Sequence, residues 1–219
     1  IHCGGVDNIF PHHTNEIAQS ESYLGHKWCN YWFHVQHLND KSGKMSKSKG
    51  NVIYADELVD FFGVDAVRYF VLHEMPLEND GVITWELMVE RLNSELANTL
   101  GNLVNRTISM SNKYFDGVVK STGVTEEVDA DLKAVVTSAR DKVAEKMKNL
   151  RVADAITEVF NLFRRCNKYI DETMPWALAK EEQKEKLESC MYHLIENLRK
   201  IAIIGCGFVG SASAFALMQ

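Results

Sequence analysis

The stretch Leu92–Leu103, LNSELANTLGNL, decides the fold that this sequence predicts. Its leucines recur at steps of three and four residues, at positions 92, 96, 100 and 103, which is the spacing of one face of an α-helix. Thr84 lies upstream at a place that suits an N-cap, because its hydroxyl can accept a hydrogen bond from the first helical turn. The pattern therefore predicts one long amphipathic helix that begins after Thr84.

The same spacing continues towards the C-terminus and predicts three more amphipathic helices. One opens near Asp129, the next ends before Pro175, and the last precedes residue 200. Their apolar positions are Leu132, Val136, Val143, Met147 and Leu150 in the first, Ile156, Val159, Phe160 and Phe163 in the second, and Leu187, Met191, Leu194, Ile195 and Leu198 in the third. Four such helices with short connections favour a mainly α fold built as a helical bundle.

The composition limits the classes of protein to which this chain can belong. The chain has 219 residues, 46% of them hydrophobic, and a net charge of −6, so nucleic-acid binding would need a local basic face. The five cysteines are scattered without a C-x-x-C pair, which fits a reducing cytosol. The sequence shows no signal peptide, and its one long apolar run, Ile201–Met218, contains glycines and serines. We therefore expect a soluble, cytoplasmic protein with no membrane partner.

Residues 1–50 are rich in glycine, histidine and aromatic side chains, with a strand-like piece at Tyr31–His37. If Pro11 opens a helix, His12 and Glu16 lie four residues apart on one face, where both could bind a Zn²⁺ ion. The alternative is a capped helix with surface histidines. Two ligands alone do not decide between these interpretations.

The octamer Lys44–Asn51, KMSKSKGN, places three ammonium groups and two hydroxyls before a glycine. Flexible ammonium groups of this kind suit a mobile loop that clamps a polyphosphate. The alternative is a solvated basic loop. The string KMSKS resembles the signature of class I aminoacyl-tRNA synthetases, and this resemblance favours the clamp.

The segment IHCGGVDNIFPHHTNEIAQSE, with the continuation to about residue 50, resembles cysteinyl-tRNA synthetases. The resemblance implies a fragment of a Rossmann-type α/β catalytic domain. It implies that His12 and Glu16 hold half of a zinc site, whose cysteine ligands would lie upstream of residue 1. It also implies that Gly4, Gly5 and Asp7 approach the adenosine of ATP.

The same resemblance gives the loop a catalytic role with ATP and Mg²⁺. Lys47 would stabilise the charge that develops on pyrophosphate, and Lys44 would support it. The partner motif of such enzymes, H-x-G-H, is absent from the sequence. We therefore expect this chain alone to be inactive in amino-acid activation.

From about residue 44 to residue 203 the sequence resembles methionyl-tRNA synthetases. The strings FGVDAVRYF, EMP, NDG and LANTLGNLVNR carry the likeness. From the residues alone, Asn102 and Arg106 could form a solvated polar face, and Trp176 could be a core residue at a helix boundary. The resemblance implies instead that these three side chains read the anticodon of the tRNA. A cluster of basic residues could add phosphate contacts or simply be solvated, namely Arg164, Arg165 and Lys168.

Residues 199–219 resemble the start of L-lactate dehydrogenases. Gly205, Gly207 and Gly210 form a G-x-G-x-x-G turn after the apolar run Ile201–Ile204. The dehydrogenase likeness makes this run a strand, whereas the synthetase likeness makes it the end of a helix. The βαβ unit that such a turn needs is incomplete, so we do not expect NAD binding.

The sequence thus predicts a composite: cysteinyl-synthetase-like at 1–50, methionyl-synthetase-like at 44–203 and dehydrogenase-like at 199–219. The expected domains are a catalytic fragment at 1–60, a helical anticodon-binding domain at 61–200 and the start of a dinucleotide fold at 201–219. The favoured function is that of a methionine–tRNA ligase fragment, with ATP, methionine and tRNA as partners. The alternatives are a cysteine–tRNA ligase fragment, with cysteine as its amino acid, a non-catalytic tRNA-binding module and, more remotely, an NAD-dependent dehydrogenase fragment.

Overall fold

The structure is a computed structural model and describes residues 1–46, 48, 50–75 and 77–204. Its α-helices are α1 Thr14–Leu24, α2 Ala55–Phe62, α3 Val64–Glu74, α4 Trp85–Arg91, α5 Asn102–Phe115, α6 Glu127–Lys148, α7 Val152–Thr173, α8 Pro175–Lys180 and α9 Lys184–Ile204. Its strands are β1 His2–Gly5, β2 Trp32–Val35, β3 Leu38–Asp40, β4 Gly43–Lys44 and β5 Gly81–Val82. The chain is mainly helical, as predicted.

The leucine-patterned stretch forms one continuous helical run. Helix α4 passes without a break into the π-helical segment Leu92–Gly101 and then into α5, because the residues at both junctions have α-helical φ and ψ angles. The Thr84 hydroxyl accepts a hydrogen bond from the Leu87 N–H at 3.1 Å, which confirms the predicted N-cap. The run ends at Asp116, which has a left-handed backbone.

Of the three later helices, α6 opens near Asp129 and α7 ends before Pro175, as predicted. The other ends differ, since α6 stops at Lys148, before the predicted Leu150, and α9 continues past residue 200 to Ile204. Helix α6 starts with a capping box in which the Glu126 N–H donates to the Asp129 carboxylate at 2.7 Å. Helix α7 ends at Met174, whose φ of 44° lies in the left-handed region. Pro175 then opens α8 at the first helical position, where its missing N–H costs nothing.

The bundle is formed by the α4–α5 run with α6, α7 and α9, and it contains the main core. Its largest fully buried side chains are Leu103, Leu132, Phe160, Leu162, Phe163, Tyr169, Ile170, Met191, Leu194 and Leu198. Burial of this much aliphatic and aromatic surface is the dominant favourable term in folding. The bundle is therefore the part of the described chain with the greatest apolar burial.

A second, smaller core lies beside the three-stranded sheet β4–β3–β5, in which β3 pairs antiparallel with β4 and parallel with β5. Its buried residues are Leu58, Val67, Phe70, Ile83 and Met88. Helix α3 belongs to both cores, since Val67 and Phe70 face the smaller one while Tyr69 enters the bundle. The smaller core includes residues on both sides of position 60, and the predicted domain division at 60 stays a prediction.

The N-terminal region is a two-stranded parallel sheet, β1–β2, with α1 beside it. The register pairs His2 with Trp32 and Gly5 with Val35. This confirms the strand expected within Tyr31–His37.

The structure corrects the dehydrogenase-based expectation for the apolar run Ile201–Ile204. These residues continue α9 as helix and do not form a strand, because Ile201 and Ala202 are buried on the face that α9 presents to the bundle. The turn glycines Gly205, Gly207 and Gly210 lie outside the described residues. None of the helices in the described part of the chain is long and apolar enough to cross a membrane.

Candidate functional site

The glycine stretch of β1 is closely covered by its own neighbours. A Cβ atom on Gly4 would lie 2.7 Å from the buried His13 ring, which is too close for a carbon atom. One on Gly5 would meet an oxygen of Asp7, but that side chain is exposed and can turn away. The sequence predicted both glycines beside a ligand, and the structure adds an internal steric reason for Gly4.

The strand β4 brings one end of the KMSKS segment to this glycine stretch. The Lys44 ammonium lies 3.7 Å from the Asp7 carboxylate and 3.4 Å from Nε2 of His37. Asp7, predicted to approach the adenosine of ATP, and Lys44, predicted to support the catalytic Lys47, are therefore neighbours in space. Lys47, the predicted catalytic lysine, lies outside the described residues, and its role stays a prediction.

The loop from Asp40 to Asn51 is held by a polar network that the sequence reasoning missed. The Asp40 carboxylate accepts hydrogen bonds from the Ser42 N–H at 2.6 Å, the Ser42 hydroxyl at 2.7 Å and the Asn51 amide at 2.9 Å. The Asn51 carbonyl in turn accepts from the Ser46 N–H at 2.9 Å. These bonds, with that of the Ser42 hydroxyl first, lower the pKa of Asp40. The signal was present in the sequence, since an Asp two residues before a Ser favours a local side-chain turn.

A cluster of histidines surrounds Glu16 at the start of α1. Nε2 of His2 lies 2.9 Å from one Glu16 oxygen, and Nε2 of His12 lies 3.2 Å from the other. The predicted proximity of His12 and Glu16 is therefore present. Within the described residues, ligand atoms of His2, His13 and Glu16 lie within 4.8 Å of one another. The assignment of His12 and Glu16 as metal ligands stays a prediction.

His13 is the buried member of this cluster, with 4% of its surface exposed. Its Nδ1 forms a hydrogen bond with Nε2 of His34 at 2.8 Å. Desolvation by burial is the main cause of the lowered pKa of His13, and the neighbouring histidines add to it while Glu16 opposes it. The ring is therefore held in its neutral form, which is the form that binds metals.

A different surface lies in the helical bundle, where two distant segments meet. The Arg106 guanidinium on α5 lies 5.9 Å from the centre of the Trp176 ring on α8, a separation that allows a cation–π contact. Arg106 also pairs with Asp171 at 2.8 Å. Trp176 is 48% exposed and Asn102 is exposed one turn before Arg106, so neither is a core residue. The three residues predicted for anticodon reading thus form one accessible surface.

Arg165 and Lys168, for which the sequence left phosphate contacts open, are paired with acidic side chains of the chain. Arg165 contacts Asp131 at 2.8 Å and Glu172 at 3.0 Å with only 11% of its side chain exposed, and Lys168 contacts Glu172 at 3.3 Å. The enclosed pairing of Arg165 counts against a phosphate contact there, whereas Lys168 is 70% exposed and its phosphate contact stays a prediction.

The bundle and α3 are joined by a buried acid that the sequence reasoning did not single out. Glu95 accepts a hydrogen bond from the Tyr69 hydroxyl and pairs with Arg164 at 3.1 Å. Burial raises the pKa of Glu95, and the Arg164 charge opposes that rise. The carboxyl group therefore ties α3 to the long helical run and to α7.

Known proteins resemble this chain in sequence. The family model described as tRNA synthetases class I (C) catalytic domain matches residues 1–78. The methionine–tRNA ligase of Caldanaerobacter subterraneus is 52% identical over 182 residues, which is 83% of this chain and 27% of that protein. That of Clostridium tetani is 44% identical over 198 residues, or 90% of this chain and 30% of that protein.

The fold is likewise similar to solved structures. The Mycobacterium tuberculosis methionyl-tRNA synthetase in complex with methionyl-adenylate superposes with a TM-score of 0.87 at 30% identity, covering 99% of this chain and 43% of that one. Its apo form gives a TM-score of 0.82 at 27% identity. The chain thus spans under a third of the length of the sequence relatives. These matches continue across Lys44–Asn51, so none of them marks a junction there, and the composite origin stays a prediction.

Proposed function

We propose that this chain, which belongs to the class I aminoacyl-tRNA synthetases and is similar to methionine–tRNA ligases over most of its length, provides the ATP-clamping loop and the anticodon-reading helices of a methionine–tRNA ligase. In that role the bundle binds tRNA(Met), and the loop acts on ATP with Mg²⁺ during methionine activation. The residues that complete the amino-acid site would come from the parts of such a ligase that this chain does not span.

The observation that supports the anticodon role is the meeting of Arg106 and Trp176 on one exposed surface. An unpaired base stacks on an aromatic face, and its edge is then within reach of donors at the side of that face. Arg106 supplies guanidinium donors, and Asn102 supplies an amide one helical turn earlier. Asp171 holds the guanidinium beside the ring, so the surface is arranged before the tRNA arrives.

The clamp role is supported by the approach of Lys44 to Asp7. In the proposed complex Asp7 accepts from a ribose hydroxyl, Gly4 and Gly5 let the backbone approach the adenosine, and Lys44 turns from Asp7 towards the phosphates. Lys47 would stabilise the charge that develops on pyrophosphate, a contribution whose loss costs about a hundred- to a thousand-fold in rate. The Asp40–Asn51 hydrogen bonds would set the position from which the loop closes.

A binding titration tests the proposal with anticodon stem-loops that carry either CAU or GCA. We expect preference for CAU, and we expect Trp176→Ala to weaken CAU binding by roughly 5- to 150-fold, which corresponds to one stacked base. Arg106→Ala should lower the preference, whereas Arg140→Ala removes the same charge from an exposed position on α6 and should leave it unchanged. Equal binding of the two stem-loops would contradict the methionine assignment, and preference for GCA would favour the cysteine alternative.

A non-catalytic tRNA-binding module is the second candidate function. It is supported by the Arg106–Trp176 surface, which the bundle presents without any contribution from the KMSKS segment. ATP–pyrophosphate exchange with methionine and with cysteine separates the two candidates. We expect no exchange from this chain alone, and exchange at a rate above background would contradict that expectation.

A further inference from the structure

We propose that this chain binds a second copy of itself, with helix α2 of one copy docked in a groove between helices α6 and α9 of the other. The contact joins an exposed aromatic pair with acidic neighbours to an apolar groove with basic edges. It uses neither the Lys44–Asp7 contact nor the Arg106–Trp176 surface, so it does not depend on the ligase role.

The groove between α6 and α9 has a volume of about 790 Å³. Leu132 and Val136 on α6 and Tyr192 on α9 contribute apolar surface to it. Asn197 also lines the groove; it is 6% exposed, and its side-chain amide makes no hydrogen bond to another described residue. An occupant that brings an apolar side chain and backbone amide groups would fill the groove and satisfy this amide.

The edge of the groove carries positive charge that the described part of the chain does not pair. Lys133 and Arg140 are exposed on α6, seven residues apart and so on one face, and neither forms an ion pair with a described residue. The acidic residues of the groove have partners within the chain: Glu126 with Lys186, Asp129 with Tyr169, and Glu196 with Arg199 and Lys200. The groove therefore favours an occupant that carries carboxylates.

Helix α2 has the complementary features. Phe61 is 72% exposed near its end and packs edge to face with Trp85, which is 39% exposed, at a ring separation of 5.3 Å. Aromatic rings exposed side by side are typical of surfaces that bind another protein. The carboxylates of Glu57 and Asp60 are exposed on the same helix, one turn before Phe61 and next to it. Helix α2 therefore combines an apolar anchor with negative charge.

The two features are held apart within one chain. The buried Leu58 fixes α2 on the smaller core, whereas two helices of the bundle form the groove. In the proposed contact the Phe61 ring of one copy enters the groove of the other, and the carboxylates of α2 face Lys133 and Arg140. A pair of copies still offers one free α2 and one free groove, so the contact is heterologous.

Sedimentation velocity of the full chain, from about 1 µM to about 500 µM, tests the proposal. We expect the weight-average mass to rise with concentration and to fall at raised salt, which screens the charges. Phe61→Ala should weaken self-association by about 30-fold or more, as loss of a central aromatic anchor does. Lys133→Glu combined with Arg140→Glu should weaken it by about tenfold or more, because like charges would then face each other.

A mixture of these two variants is the sharpest measurement. The Phe61→Ala chain retains an intact groove, and the chain with both glutamates retains an intact α2. The mixture should therefore form a 1:1 complex with the affinity of the parent contact and no larger species, although neither variant associates well alone. A contact between two α2 helices or between two grooves would give no such recovery.

Two exposed positions provide matched controls. Phe10→Ala removes a phenylalanine that is 76% exposed in the N-terminal region. Lys142→Glu reverses a charge on α6 nine residues after Lys133, which is half a turn away and on the opposite side of the helix. Both variants should self-associate as the parent chain does.

Far-UV circular dichroism of each variant verifies that the bundle is folded, so loss of association is not confused with unfolding. A parent chain that stays monomeric over the whole concentration range would overturn the proposal. The proposal would also be wrong if the mixture forms no complex, or if either variant alone associates as tightly as the parent chain.

Discussion

The helical bundle and the N-terminal region are built by different means. The bundle buries large aliphatic and aromatic side chains completely, among them Phe160 with no exposed surface. The β1–β2 region has a single fully enclosed ring, His13, and leaves Phe10 76% and Tyr31 70% exposed. Its order comes from histidine and tryptophan rings packed edge to face around Glu16.

This difference separates the bundle, which stabilises the fold, from the N-terminal region, which carries candidate ligand-binding residues. A parallel sheet is ordinarily covered on both faces, and two strands alone are marginal in water. The bundle, in contrast, has a core large enough to hold a fold. We therefore expect substitutions in the bundle to act on global stability and substitutions near β1 to act locally.

The largest expected effect tests the bundle core. Phe160→Ala should lower the free energy of unfolding by about 3–5 kcal/mol, because it removes a buried ring and leaves a cavity. Urea denaturation followed by circular dichroism measures this change. Phe10→Ala makes the same substitution at an exposed position and should stay within about 0.5 kcal/mol. Similar losses in both variants would break the distinction between the two regions.

An intermediate effect is expected at Gly4→Ala. The new Cβ would lie 2.7 Å from the His13 ring, and such overpacking costs about 1–3 kcal/mol. Amide hydrogen exchange should become faster in β1, β2 and α1 and stay unchanged in α7. Cys3→Ala, on the same strand but with an exposed side chain, is the control. Faster exchange in α7 would show that the two regions unfold together.

The smallest effect is expected at Glu95→Gln, where the bundle meets α3. Because the pKa of Glu95 is raised in the fold, the folded state holds the proton more tightly than the unfolded state. The parent chain should therefore lose stability as the pH rises from about 4.5 through the raised pKa, and Glu95→Gln should remove that loss. We expect a gain below about 1 kcal/mol at neutral pH, since Arg164 is half exposed and water can solvate it.

Denaturation at several pH values measures this difference. Glu145→Gln, at an exposed position of α6, should have no such pH dependence. A loss of stability in Glu95→Gln at neutral pH would mean that the Arg164 pair outweighs the cost of burying the carboxylate.

The sequence predicted the helices well because each has a complete apolar stripe and a recognisable end. Thr84 caps its helix as expected, and the helix expected to open near Asp129 begins at Glu127. It predicted less of the sites, because these depend on contacts between distant segments. The bond between His13 and His34 joins two pieces whose pairing no periodicity reveals. The end of α9 was ambiguous for the same reason, since Ile201 suits a strand or a helix and only burial against the bundle decides.

The π-helical segment Leu92–Gly101 also sets the direction in which the later side chains of its helix point. It lies within the helical run Trp85–Phe115, which is roughly 45 Å long and places Arg106 roughly 30 Å along the helix axis from Trp85. Deleting one residue from it would turn every later side chain by about 100° about the helix axis. Asn102 and Arg106 would then point away from Trp176, although every residue of that surface would still be present. The number of residues in the segment therefore fixes the rotation of Asn102 and Arg106 about the helix axis. The Arg106–Trp176 surface depends on that number more than on which residues the segment contains.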